Sequence, residues 1–548
     1  MNGKFTGIVL LLIAATTATF AQKTQFTHQD TLRGSITPER VWWDLTYYHL
    51  SVNVNPEDST FSGENLIQYR VLEPQQKLQI DLQPPMEISK ITQNGVEQKF
   101  ERDGNVWFVS LSKKQQKDEV LELLVEFGGK PKVSRRAPWD GGVSWKKDQK
   151  GRPFIATANQ GDGASLWWPC KDHPYDEPDS MLMSITFPGK LMDVSNGQLR
   201  KLENNNNGTK TAHWFVNNPI NSYGVNINIG NYVHFGDVYK GEKGDLDCNF
   251  WVLDYNLEKA KEHFKQARQM LEAFEHWFGP YPFYEDGYKL VEVPYPGMEH
   301  QSSVTYGNGF ENGYMGRDES HTGWGMKFDF IIIHESGHEW FANSITNWDE
   351  ADMWIHESFT AYSESLFVEY FWGKKAGAEY CRGTRLNIRN DRPIVGVYGV
   401  NHPGSGDMYS KGANMLHTLR QIVDNDEKWR QILRGLNKTF RHQTVKAEQI
   451  EEFISIETGL NLDSFFDQYL RDTKIPTLEY AVAGDEIRYR WVNCTANFNM
   501  KIKVFINGEM KWLHPGRRWE TFKLEENYRS FEVDPNFYVA VFQSTVIK

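Results

Sequence analysis

A pair of histidines with a glutamate between them, His334-Glu335-Ser336-Gly337-His338, is followed after residues 339–356 by Glu357. This spacing restricts the chain to folds in which two helices meet at one buried point. Side chains four apart on a helix project from one face, so His334 and His338 can offer two imidazoles to one ion. The largely apolar run Phe328 to Ile333 before the pair, and Trp340-Phe341 after it, mark that helix as buried. Imidazoles in a dry interior need partners. The intervening stretch leaves room for the helix to end and for a second one to begin and supply Glu357. Two histidines, one carboxylate and an open fourth position describe a catalytic rather than a structural site for one zinc ion. Glu335, one position round from the ligands, can reach a water held there. The expectation is a zinc hydrolase.

Two further segments narrow the chemistry. Val293-Pro294-Tyr295-Pro296-Gly297-Met298-Glu299-His300 reads as a short apolar strand running into a glycine-containing turn and a carboxylate. Asp407-Met408-Tyr409-Ser410-Lys411-Gly412-Ala413 precedes an apolar helix pattern. With the histidine motif, these segments resemble the aminopeptidase N family of zinc exopeptidases, which also contains the bifunctional leukotriene-epoxide hydrolase. The resemblance implies that Glu299, in Gly297-Met298-Glu299, grips a substrate's free α-ammonium and that Tyr409, ahead of Lys411-Gly412, is the catalytic tyrosine. Gln160, ten residues before Cys170, matches the family's second contact to that amine. Asn217 to Tyr223 is similar to the strand closing the family's first domain, and Phe274 to Pro282 to the helix end leading to the Glu299 strand. The resemblance covers residues 35–475.

The chain departs from the family pattern at four positions. Pro296 stands in place of the first Gly of the amine-binding segment, His300 in place of the Asn after Glu299, His356 in place of an Asn before Glu357, and Ser358 in place of a Gly after it. None removes an atom the chemistry requires. His300 and His356 are read as structural side chains bonded to nearby carbonyls. Pro296 and His300 leave the preferred first residue of the substrate open. Glu364, seven residues after Glu357 and on the same helix face, is placed to orient a zinc ligand. In the mechanism this implies, Glu335 takes a proton from zinc-activated water and delivers it to the departing amine, while Tyr409 and the metal stabilise the oxyanion. Glu299 and Gln160 anchor the amino terminus, so that only the first peptide bond falls over the metal. The expected substrates are peptides with a free amino terminus. A thermolysin-like endopeptidase would leave Glu299 and Gln160 with no amine to bind. A non-catalytic peptide-binding module would usually have lost the base or a ligand, and an epoxide hydrolase would need a lipid channel that nothing here marks.

The pattern predicts a multidomain α+β chain. Residues 22–235 hold short alternating runs, such as Tyr48, Leu50, Val52 and Val54 against Tyr47, His49, Ser51 and Asn53, broken by Asn and Gly turns, as in an antiparallel β domain. Residues 236–475 are dominated by helical patterns, Glu258 to Trp277, Met326 to Ile345, Ser358 to Tyr370 and Ala413 to Val423, resembling the family's thermolysin-like catalytic domain. Residues 476–548 return to strands, as a small C-terminal β domain. Many relatives carry a long helical domain that closes over the active site. Such a lid does not fit in 476–548, so a more open cleft, or closure by a partner, is expected.

Lys4 followed by an apolar stretch from Gly7 to Ala15 and small residues to Ala21 reads as a secretory signal peptide over residues 1–21, and no other stretch is apolar for long enough to cross a bilayer. A secreted or periplasmic enzyme with no membrane span after signal cleavage is expected. The net charge of −12 carries no concentrated tract, which argues against a nucleic-acid partner. Cys170, Cys248, Cys381 and Cys494 form no Cys-x-x-Cys pair, so a second metal site is not expected. Oligomeric state and cysteine pairing stay open.

Overall fold

The computed structural model describes residues 26–545, so the expected signal segment 1–21 lies outside the described residues. Among the described residues, no helix is long and apolar enough to cross a membrane.

The first region is built on an eight-stranded sheet. Its centre is Trp43–Asn55, flanked by Thr60–Val71 on one side and Ser180–Pro188 on the other. Alternation decides which face is buried: Tyr48, Leu50, Val52 and Val54 enter the core while Tyr47, His49, Ser51 and Asn53 do not. The sheet is not wholly antiparallel as expected, because Trp43–Asn55 and Ser180–Pro188 run parallel. Residues 56–179 make the long crossover that a parallel pair requires. A second, four-stranded sheet includes Pro153–Ala158, and the chain leaves that strand directly into the loop bearing Gln160. Asn217 to Tyr223, expected as a strand, is a loop and a turn. Asn221 accepts the backbone N–H of Gly224 at 2.6 Å, while Asn217 and Asn218 are drawn off to Asp286.

The second region opens with a five-stranded mixed sheet in the order Tyr232–Gly241, Gly244–Leu253, Tyr288–Glu292, Val304–Tyr306, Gly297–Met298. The apolar segment at Val293 thus forms its strand earlier than expected, ending at Glu292, since Pro294 and Pro296 lack the N–H a ladder needs. Gly297–Met298 is the sheet's edge, hydrogen-bonded on one side only. Helices Lys265–Phe278, Phe330–Gly337, Trp354–Trp372 and Ser410–Val423 pack beside it. Two sheets of four and three strands, beginning at Thr477–Ala483, follow and share one continuous core with these helices. Tyr469 donates to the carbonyl of Tyr538 at 2.8 Å across that junction. Between the first and second regions, Ala156, Ala158, Val293, Tyr295 and Met298 form a small apolar cluster of their own. The cleft opens beside it. All four cysteines are free.

Candidate metal centre and peptide cleft

The helix Phe330–Gly337 starts where Asp329 accepts the backbone N–H of Ile332 at 3.2 Å, an N-cap. It stops sooner than the apolar pattern to Ile345 predicts. At Phe341 and Ala342 the backbone leaves helical geometry, with Ala342 at φ 148°, a left-handed value that costs a residue with a Cβ. The break turns the Phe341 carbonyl back onto His338, whose Nδ1 donates to it at 3.0 Å. Thr360 Oγ1 lies 3.1 Å from the same nitrogen. His334 is fixed in a similar way: its Nδ1 donates to Glu364 Oε1 at 2.6 Å, and Tyr380 donates to the other oxygen of Glu364, also at 2.6 Å.

With both Nδ1 atoms committed as donors, each Nε2 is the ring atom left for another partner, and both point at Glu357 in the first turn of Trp354–Trp372. Glu357 Oε2 lies 3.8 Å from His334 Nε2 and 3.4 Å from His338 Nε2. It is fully buried with no hydrogen-bond partner. The three ligand atoms fall within 4.8 Å of one another. Electrostatics favour a cation at this point. Burial disfavours charging His338, yet Glu357 and Glu299 overcome it and raise the imidazole to about 10. Burial likewise disfavours charging His334, but Glu364 raises it. Burial would raise Glu357, but His338 and His334 hold it down at about 2. A site that draws protons onto buried imidazoles so strongly is suited to a divalent ion.

A cleft of about 540 Å³ lies over this cluster. Glu335 lines it, pushed up to about 7 by burial while the two imidazoles pull the other way. Glu299 stands next to it, its carboxyl also raised by burial. Gln160 donates from Nε2 to Glu299 Oε1 at 2.6 Å and lies 3.3 Å from Glu357 Oε1. Asn343, just past the helix break, donates to the backbone carbonyl of Glu299 at 2.8 Å. Gly297 is required where it stands, because a Cβ there would lie 2.5 Å from Ile331 Cγ2 on the motif helix. That close approach brings Gly297 and Met298 to the cleft wall. Tyr409 faces His334 with ring centroids 6.0 Å apart. It is 39% exposed as a residue, yet burial of its phenol and the charges of Glu357 and Glu299 push its ionisation well up. Tyr409 therefore stays a donor. The structure thus brings Gln160, Gly297, Met298, Glu299, His334, Glu335, His338, Glu357 and Tyr409 into one cleft.

The departures at His300 and His356 have partners other than carbonyls. His300 Nδ1 lies 3.2 Å from Thr305 Oγ1, and His356 Nε2 accepts the backbone N–H of Asn347 at 2.9 Å. Burial holds both rings down at about 3. Ser358 has a definite role, donating from Oγ to the carbonyl of Met408 at 2.7 Å, one residue before Tyr409. Gly412 leaves room for it: a Cβ there would lie 1.9 Å from Ser358 Oγ. Sequence reasoning missed Tyr380, Thr360 and Asn343, which no local motif distinguishes from ordinary core polar residues.

Residues 262–469 match the peptidase family M1 domain and residues 45–223 the peptidase M1 N-terminal domain. The leucyl aminopeptidase of Saccharolobus solfataricus is 23% identical over 82% of this chain and 58% of its own length. Aminopeptidase B of Rattus norvegicus is 24% identical over 61% of this chain and 49% of its own. The chain spans 58–60% of the length of the first curated relatives it matches. An M1 zinc metallopeptidase of Deinococcus radiodurans, solved with a Tyr-Ser-Ala substrate, shares the fold with a TM-score of 0.65 at 20% identity. That likeness covers 79% of this chain and 95% of the other. The two domain matches, in this order and around this histidine-glutamate cluster, show that the chain belongs to peptidase family M1.

Proposed function

We propose that this protein is a zinc-dependent aminopeptidase that removes the first residue of peptides with a free amino terminus. The observation that carries the reading is the pairing of Glu299 with Gln160, 2.6 Å apart, beside the His334, His338 and Glu357 cluster. An acidic, amide-lined point one residue's reach from a metal site selects an α-ammonium and leaves only the first peptide bond to react. A second convergence of Glu299, Glu335 and His338 shares His338 with the first, so one ion uses that imidazole and a single zinc is the expected content. Bound there, zinc supplies Lewis acidity toward water and the substrate carbonyl.

The chain's own residues do the rest. Glu335, near neutrality in its buried setting, accepts the water's proton and returns it to the leaving amine. Tyr409 donates its phenolic proton as a hydrogen bond to the developing oxyanion, worth about 3 kcal/mol in comparable sites. The unpaired edge of Gly297–Met298 offers backbone groups to a substrate laid beside it as an added strand. Export through residues 1–21 belongs to the same proposal, and the amino-terminal sequence of enzyme recovered outside the cytoplasm tests it. For the activity, one fluorogenic peptide is compared with a free and an acetylated amino terminus, with and without chelator. Cleavage of the free form alone, abolished by chelator and by Glu299→Ala, is expected. Equal cleavage of both forms makes the enzyme an endopeptidase, and no cleavage of either leaves a peptide-binding module.

A further inference from the structure

Two carboxylates lining the cleft, Glu319 and Glu350, have no task in the reaction above, and of the two only Glu350 has a side-chain oxygen that is buried without a hydrogen-bond partner. Glu350 opens the short turn Glu350–Asp352 that leads into the helix bearing Glu357. Its acidic neighbours are both engaged. Asp349 accepts the backbone N–H groups of Ala351 and Gly399, each at 2.9 Å. Asp352 accepts the hydroxyl of Tyr398 at 2.8 Å and the N–H of Ala447 at 3.1 Å. Glu350 Oε2, by contrast, is fully buried with no hydrogen-bond partner, and Glu350 makes no ion pair among the described residues. The charges acting on it are Arg33, which favours its ionised form, and Asp349 and Asp172, which oppose it. Arg33 is itself held elsewhere: it donates to the carbonyl of Gly161 at 2.7 Å and lies 3.3 Å from Asp172 Oδ2.

We propose that Glu350 is a specificity residue, forming the acidic wall of the pocket for the first side chain of the peptide and selecting a cationic one, arginine or lysine. The inference rests on the aminopeptidase reading, with Glu299 and Gln160 as the amine anchor. With the α-ammonium held there, the first side chain leaves from a carbon within reach of the cleft wall that Gln160, Gly161, Glu350 and Met353 share. Glu350 borders that position: Arg33, the cation nearest in effect to Glu350, is bonded to Gly161, the residue after Gln160. Met353, one turn along from Glu350, lines the same cleft and suits the aliphatic stem of a long basic side chain. Burial pushes Glu350 up to about 7, the mark of a carboxylate short of donors. A guanidinium or ammonium supplies those donors, and a buried acceptor gains most from a partner it lacks. Arg392, the one lysine or arginine among the described residues that line the cleft, donates to the carbonyl of Gly404 at 3.0 Å and is not among the charges acting on Glu350.

The test uses the zinc-loaded full chain and an isosteric pair, arginine and citrulline, the second carrying no charge. kcat/KM is compared for their fluorogenic amides, and equilibrium binding for the free amino acids. Arginine should be favoured by about 10-fold or more in both readouts, and Glu350→Gln should bring both ratios to near one. Glu350→Asp, which keeps the charge and guards against loss of fold, should retain part of the preference. A wild-type binding ratio near one, or a ratio that survives Glu350→Gln, overturns the proposal. A binding preference lost in Glu350→Gln with no turnover of either amide would support Glu350 as the selecting group while overturning the aminopeptidase reading.

Discussion

The two sides of the cleft are built to different rules. On the metal side both imidazoles are held from behind: His334 by Glu364 and Tyr380, His338 by the Phe341 carbonyl and Thr360. These contacts are buried and leave only the metal-facing atoms free. On the substrate side the polar groups pair with each other or lack a partner. Glu299 is paired with Gln160, Glu350 has no partner, and Tyr409 is 39% exposed at the start of a helix. Under the proposed function, the difference separates a centre whose imidazoles are fixed before substrate arrives from a wall whose polar groups substrate would satisfy. It also divides the expected consequences of mutation. Changes on the metal side should alter metal affinity, and changes on the other side should alter turnover with zinc retained.

The largest effect expected is at Glu335, which belongs to neither side, since it stands beside His338 and Glu299 in the cleft with no hydrogen bond to the cluster among the described residues. Glu335→Gln should lower kcat/KM about 10³-fold, roughly 4 kcal/mol of transition-state stabilisation, with zinc content unchanged. Loss of zinc along with activity would place Glu335 among the ligands and erase the division. Next comes Tyr409→Phe, which removes one hydrogen-bond donor to an oxyanion and should cost 10²- to 10³-fold, in kcat rather than KM. A change confined to KM would make Tyr409 a binding group.

The metal side is probed by Glu364→Gln. The amide can still reach His334 but no longer offers it a full negative charge, so zinc should dissociate about 10- to 100-fold more readily. Activity should return at saturating zinc, and competition with a chelator measures the shift. If activity stays low at saturating zinc, Glu364 shapes the cleft as well as the ligand.

What the sequence made legible follows the range of the interactions. The alternation of Trp43–Asn55 shows in the chain because burial there repeats every second residue. Its parallel partner Ser180–Pro188 does not, because that pairing is decided across residues 56–179. The motif helix behaves likewise. Its start is written locally in Asp329, whereas its end at the Phe341–Ala342 break is fixed by a bond to His338 and Thr360, after an apolar stretch that gives no stop signal. The convergence of His334, His338, Glu357 and Glu335 was readable because helix geometry sets their spacing, and the place of Glu364 because it lies two turns from Glu357 on one face. Tyr380 and Asn343 come from separate elements and meet the site only through packing. Glu350 was invisible for the same reason, since an acidic residue in Asp349-Glu350-Ala351-Asp352 reads as a solvated turn until its neighbours are seen.

The smallest expected effect lies where the two sides touch. Ser358 follows a metal ligand, yet its hydroxyl holds the carbonyl of Met408, next to the substrate-side Tyr409. Ser358→Ala deletes one buried hydrogen bond, about 1 kcal/mol, and leaves the helix backbone intact. If that bond serves to aim Tyr409, kcat should fall about five-fold while zinc affinity holds, and the loss should vanish in a Tyr409→Phe background, where there is no phenol to aim. If instead the two losses multiply, Ser358 acts on Glu357 rather than Tyr409. The boundary between the two sides would then lie one residue further along the helix.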